Sequence, residues 1–255
     1  MIRIGKYVVY DIIRNRFVLL YTALLLVITF TMFSLDSDAG KSTLSLLNII
    51  LLVVPLVSVI FTTIHFFNSY EFIELLLSQP VSRKTIFFAE FFSITLALSC
   101  AFLVGVAFPV MLLNPAGSSM VLILAGLLLT FVFTALAFAS SVYTRDKARA
   151  IGISLLLWFY FTLIYDGFVL YIIYAFSDYP LEKITLLMVS LNPVDLARII
   201  ILLKLDLSAL MGYTGAFYKN FFGSSLGTSY SILLLALWTL LPLLVAKRKF
   251  ARKDI

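Results

Sequence analysis

The chain has 255 residues, 62% of them apolar and only 13% charged. Soluble domains carry about 25% charged residues, so the deficit excludes a soluble globular domain and places most of the chain in a bilayer. The net charge of +6 gathers at the ends of apolar runs, which topology explains better than nucleic acid, and the single Cys100 excludes an internal disulfide.

The chain opens with a basic segment, 1–16. Arg3, Lys6, Tyr10 and Arg14 recur at helical spacing, with Ile2, Val9, Ile12 and Ile13 on other faces. Two readings stay open: an amphipathic helix lying in the membrane interface, or the ordinary basic flank of a first span. Six apolar runs then reach the roughly 20 residues that cross a ~30 Å hydrocarbon core: 17–35, 44–67, 86–113, 120–142, 151–176 and 226–246. The first is not followed by a small-residue cleavage site, so it is expected to remain as an anchor. The fold class expected is an all-α membrane protein, one domain over 1–255.

Polar residues within this frame are few. The stretch 39–43, AGKST, resembles the tail of a phosphate-binding loop, but the position five residues before Gly40 is Leu35 where the motif needs glycine. No strand precedes it, so no nucleotide site is expected and the chain should not hydrolyse ATP itself. His65 is alone, which suits an interfacial or hydrogen-bonded histidine better than a zinc ligand. Met32, Met111, Met120, Met188 and Met211 are scattered, whereas a soft-metal conduit wants clustered Met and Cys. No metal is therefore expected on this chain, and no catalytic group. Glu90 is a few residues inside the third run and could reach the interface.

Between the second and third runs lies a polar insert, 68–90, NSYEFIELLLSQPVSRKTIFFAE. It reads as a short amphipathic helix, a break at Gln79-Pro80, and a Ser82-Arg83-Lys84 turn into the next run. Glu71 and Glu74 share one face, and Phe72, Leu75 and Leu76 lie on others. A helix resting on lipid would favour cations there. Acids beside exposed Phe and Leu suit docking into a protein groove. A solvated loop is the alternative.

Asp166, in the fifth run, is the one acid deep in a span. It reads as a proton relay, or as a structural aspartate bonded to Tyr160, Tyr165 or a neighbouring helix, or set in a watery outer cavity. Without a cationic partner the structural reading is preferred. The long segment 177–225 is apolar enough to suggest a seventh span. Asp195, Arg198, Lys204 and Asp206 argue against it, since a mid-bilayer charge costs at least ~2.5 kcal/mol. Asn192-Pro193-Val194-Asp195 is a helix start, with Asn as N-cap, Pro at the first position and Asp in the first turn. One or two amphipathic helices at the outer surface, resting there or dipping in without crossing, are expected, as a lid or a platform. Gly223 and Gly227 form a GxxxG that allows close approach of a second helix, a dimer contact.

Loop charge orients the spans. With the N-terminus inside, 14 of the 19 Lys and Arg fall on cytoplasmic segments and 5 outside. Both termini are therefore expected in the cytoplasm, and the insert with them.

The stretch 74–87, ELLLSQPVSRKTIF, resembles the first cytoplasmic loop of ABC-2 type exporter permeases. The six spans, the N-terminal helix and the external helices before span six also match that layout. The resemblance implies two copies of this chain, two copies of a separate ATPase carrying ATP and Mg, and a bacterial inner membrane. Glu71, Phe72, Glu74, Leu75, Gln79, Pro80, Arg83 and Lys84 would then form the ATPase contact. Within the family, LLLSQPVSR (75–83), LNPVDLAR (191–198) and GYTGA (212–216) are similar to permeases that serve copper-site maturation of nitrous oxide reductase. That narrower likeness implies an external copper-binding partner and a copper chaperone, with Asn192, Pro193, Asp195, Arg198 and Tyr213 as the receiving platform. An exporter of another substrate is the alternative. A proton-coupled secondary transporter using Asp166 is a second, and an intramembrane enzyme a poor third.

Overall fold

A computed structural model describes residues 2–35, 39–115, 117–176, 181–204 and 225–252. Tyr213 and Gly223 lie outside the described residues. Among those described, the chain is helical with no strand. In lipid, only helices and closed barrels satisfy their own backbone polar groups. Six helical runs are long and apolar enough to cross a membrane: Arg16–Leu35, Gly40–Asn68, Arg83–Leu113, Gly117–Tyr143, Lys147–Ala175 and Gly227–Arg252. They coincide with the six apolar runs of the sequence. This is an all-α, multi-span membrane protein.

Helix α1 (Ile2–Ile13) precedes the spans and packs on the third of them, burying Val8 and Ile12. Span one is α2 (Arg16–Leu35), with Val18, Tyr21, Leu25 and Thr29 buried along one stripe at helical spacing. Span two is α3 (Ala39–Asn68), and the short α4 (Tyr70–Leu77) follows after one residue. Span three runs through α5 (Arg83–Phe102), a π-helical turn (Leu103–Ala107) and α6 (Phe108–Leu113). Span four is α7 (Gly117–Tyr143). Span five runs through α8 (Lys147–Phe159), a second π-helical turn (Tyr160–Ile164) and α9 (Tyr165–Ala175). Then come α10 (Glu182–Ser190), α11 (Pro193–Lys204) and span six, α12 (Ser225–Arg252).

Span four is the most buried of the six and packs against spans two, three and six. Phe138 is the hub at one end, with its ring 5.2 Å from Phe66, 5.2 Å from Phe87 and 5.8 Å from Phe91. Phe87 in turn meets Phe250 of α12 at 5.5 Å. This aromatic cluster gathers the ends of spans two, three, four and six beside the insert. Lys247 and Lys249 lie over Phe88 and Tyr143 at the same end.

Both π-helical turns meet a side chain from another helix. The Phe108 N–H reaches back five residues to Leu103 O, and Pro109 has no N–H to give Gly105 O. The Thr29 hydroxyl, shared with Leu25 O at 2.8 Å, reaches that carbonyl at 3.2 Å. Span one can come this close because residue 105 is glycine: a Cβ there would sit 2.6 Å from Leu25 Cβ and 3.1 Å from Thr22 O. In span five the Tyr165 N–H bonds Tyr160 O, five residues back, and Asn192 Nδ2 donates to Phe161 O at 2.9 Å.

The segment before span six is bent. Helices α10 and α11 meet at 111°, a broken span or re-entrant elbow rather than a straight seventh crossing. Helix α11 wedges against α7, α12 and α3, and buries Val194, Leu196, Ala197, Ile200 and Ile201. Its apolar residues occupy most of its circumference, and a helix apolar nearly all round is driven inside rather than onto a surface.

Candidate functional site

The insert forms as its local sequence dictates. Ser69 interrupts the helix only slightly: its N–H still bonds His65 O at 2.9 Å, and Ile73 N–H bonds Ser69 O at 2.9 Å. Helix α4 is thus an almost unbroken continuation of span two. Pro80 closes it, since the residue before a proline disfavours helix. Ser82 then starts span three as an N-cap, accepting the Thr85 N–H at 3.2 Å.

Within α4, Ile73 and Leu76 turn inward against the bundle. Leu76 therefore belongs to the core, not to the docking face suggested by its neighbours. Glu71, Phe72, Glu74 and Leu75 are exposed, and so are Gln79, Pro80, Arg83 and Lys84. Leu75 is 63% exposed and Phe72 40%. Both acids and both large apolar side chains are therefore available together on one short helix at the rim of the bundle.

The base of this helix is pinned from behind. His65 Nε2 lies 3.2 Å from Ser69 Oγ and 3.3 Å from Glu90 Oε1 of span three. The first contact has hydrogen-bond geometry, and the second is an ion-pair distance without it. His65 stacks on Phe61, which stacks on Phe17 of span one. Glu90 is 3% exposed, so it does not reach the interface as its position suggested. Its partner on α3 holds it inside. A hydrogen-bonded His65 fits the reading of a lone histidine.

Span two is joined to span five by three polar contacts. Lys147 Nζ donates to Asn68 Oδ1 at 2.8 Å, Thr63 Oγ1 meets Ser154 Oγ at 2.9 Å, and Trp158 Nε1 donates to Leu52 O at 3.2 Å. Ser154 Oγ also meets Ser140 Oγ of span four at 2.6 Å. From Leu52 to Asn68 is about 24 Å of helix at 1.5 Å per residue, most of a bilayer core.

At the far end of span five sits a second polar cluster. Tyr165 Oη donates to Met188 O at 2.6 Å. Asn192 caps α11, accepting the Val194 N–H at 3.0 Å, while its Nδ2 donates to Phe161 O and to Asp195 Oδ2 at 2.9 Å each. Arg198 Nη1 donates to Asp166 Oδ2 at 2.7 Å and lies 3.3 Å from Asp195 Oδ1. The N-cap, the helix-start proline and the first-turn acid stand where their spacing placed them.

One premise is corrected here. Asp166 is not an isolated acid: Arg198 supplies the cation, and two opposite charges in an apolar setting pair because each is costly alone. Asn192, Pro193 and Asp195 are buried and Arg198 is half-buried, with Asn192 and Arg198 bonded to span five. Gly227 is buried within the single chain. Among the described residues no group of three or more His, Cys, Asp or Glu could hold a metal.

The sequence reading missed the Arg198–Asp166 ion pair, the His65–Glu90 contact and the contacts between spans two and five. Its available signal was that acids and cations inside apolar segments seldom stay single: Glu90 and Asp166 each needed a partner, and few candidates existed.

A bundle of six spans with this re-entrant elbow and this rim helix describes a transport permease. Residues 6–255 match the family described as ABC-2 family transporter protein, and the chain belongs to that family. Members are membrane subunits that work with ATPase partners. Over 193 residues the chain is 33% identical to the probable ABC transporter permease protein NosY of Pseudomonas aeruginosa, covering 71% of this chain and 68% of that protein.

The buried pair gives a stability prediction. His65→Leu leaves the buried Glu90 without its nearest polar neighbour and should cost about 1–3 kcal/mol, whereas the double change His65→Leu/Glu90→Leu should recover most of it. Thermal unfolding of the purified single and double variants measures this; equal losses would show that the two side chains do not act as a pair.

Proposed function

We propose that this chain is the permease subunit of an ATP-driven complex in which two ATPase subunits dock on the insert and two copies of this chain respond. The observation that carries the proposal is α4: a rim helix almost continuous with span two, exposing Glu71, Glu74, Phe72 and Leu75 together. An amphipathic helix of this kind fits a groove on a partner. Movement imposed on it would pass directly into span two, and through the Asn68–Lys147, Thr63–Ser154 and Leu52–Trp158 contacts into span five. The excess of cations at this end supports a cytoplasmic position for the insert and both termini. Spans one and five are the least buried, which leaves them free for lipid or for a second copy.

What the movement serves is read from the likeness to NosY. The chain would belong to a complex of the NosDFY type that matures the copper sites of nitrous oxide reductase. Copper would be handled outside the membrane by a NosD-like copper-binding protein and a copper chaperone, not by this chain. Transmission of movement, rather than passage of copper, is supported by the polar line from insert to elbow. An ABC-2 exporter of another substrate shares the same coupling end.

Two measurements test these levels separately. Glu71→Lys/Glu74→Lys reverses two exposed charges, so the chain should fold normally while co-purification of its ATPase falls by more than about tenfold. Unchanged co-purification would remove α4 as the docking element. For the copper reading, cells lacking this chain should make nitrous oxide reductase deficient in copper, restored when the chain is supplied. Full copper content in its absence would leave the permease reading and remove the copper role.

A further inference from the structure

We propose that Arg198 is the positioning residue that makes the α10–α11 elbow follow span five. This rests on the permease reading above and adds to it the residue that sets the elbow's angle. The geometry is that of a hinge with a lever. Two contacts tie the corner of the elbow to span five: Tyr165 Oη to Met188 O, and Asn192 Nδ2 to Phe161 O. Both lie close to the bend between Ser190 and Pro193, so together they fix a pivot, and beyond it α11 rests on apolar packing against α7, α12 and α3. Arg198 lies six residues beyond Asn192, about 9 Å along the helix at 1.5 Å per residue. A contact at that distance is the polar tie that couples this packed helix to span five.

The chemistry of the contact suits a moving joint. Asp195 holds Asn192 with Oδ2 and Arg198 with Oδ1, so one carboxylate spans pivot and lever and aims the guanidinium. Arg198 then reaches Asp166 on the next helix at 2.7 Å. The Arg198 and Asp166 side chains are 31% and 29% exposed, so the pair is not sealed inside the chain. A fully buried pair would resist separation far more strongly. The π-helical turn immediately before Asp166 adds freedom: π-bulges inside helices recur at functional sites. Span five is thus gripped by span two below the turn and by the elbow at and above it, and Arg198–Asp166 is the grip farthest from the pivot.

The test uses the full chain with its ATPase subunits in lipid nanodiscs, with Cys100→Ser removing the native thiol. Spin labels go on Leu187→Cys in α10 and Met120→Cys at the start of span four, both more than half exposed. In the parent, ATP with vanadate should shift the distance between the labels. In Arg198→Ala the shift should be lost while the ATPase still co-purifies. Arg198→Asp/Asp166→Arg, which keeps the charges and exchanges their places, should regain it; Arg198→Lys should regain part. A full shift in Arg198→Ala would overturn the role of Arg198 and leave the permease reading standing. Loss in Arg198→Ala with no recovery in either the exchanged pair or Arg198→Lys would also overturn it, because general loosening would then explain the loss. No shift in the parent, with ATPase bound, would overturn the transmission reading and this inference with it.

Discussion

Every backbone polar group inside a bilayer must find its partner within the protein, because lipid offers none. That constraint explains most of this chain. It makes the spans helical, and it turns each irregularity into a point of attachment. Where span three widens into a π-helical turn and Pro109 withholds a donor, the Thr29 hydroxyl of span one, shared with Leu25 O, reaches Gly105 O. Where span five widens, Asn192 of the elbow supplies one to Phe161 O. The two turns are weak points of their own helices and fixed points between helices. The same logic applies to charge: Glu90 is held against His65 and Asp166 against Arg198, each acid matched on a neighbouring element.

These attachments fall along one line. It begins at α4, which rides on span two through the single residue Ser69. It crosses to span five by the contacts at Asn68, Thr63 and Leu52, and ends at the elbow through Tyr165, Asn192 and Arg198. Interhelical hydrogen bonds in membranes average only about 0.6 kcal/mol each. Their value here lies in spacing rather than strength, since contacts spread over ~24 Å hold two helices at a fixed angle as one contact could not. Under the proposed coupling, motion taken up at the rim helix would travel along this line.

Much of this was readable in the sequence where a single rule decided it. Length and apolarity placed the six spans. Asn192-Pro193-Val194-Asp195 announced its helix start because capping is local, involving residues two or three apart. The exposure of Glu71, Phe72, Glu74 and Leu75 followed from their polar setting beside a proline break. The failures have a common cause: charges were weighed one at a time. Asp166 and Arg198 lie 32 residues apart, so their pairing across α9 and α11 leaves no local mark in the sequence. Glu90 was given to the interface for the same reason. The π-helical turns left no mark in hydropathy, although Gly105 and Pro109, four residues apart in an otherwise bulky run, were their trace in span three.

The central claim is that motion enters this chain through α4. A photo-crosslinking amino acid placed at Leu75, compared with the same group at Leu187 on the elbow, tests it most directly in cells expressing the whole complex. The account expects Leu75 to capture the ATPase subunit and Leu187 not to. Capture of the ATPase at Leu187, or its absence at Leu75 in a complex that still assembles, would contradict it.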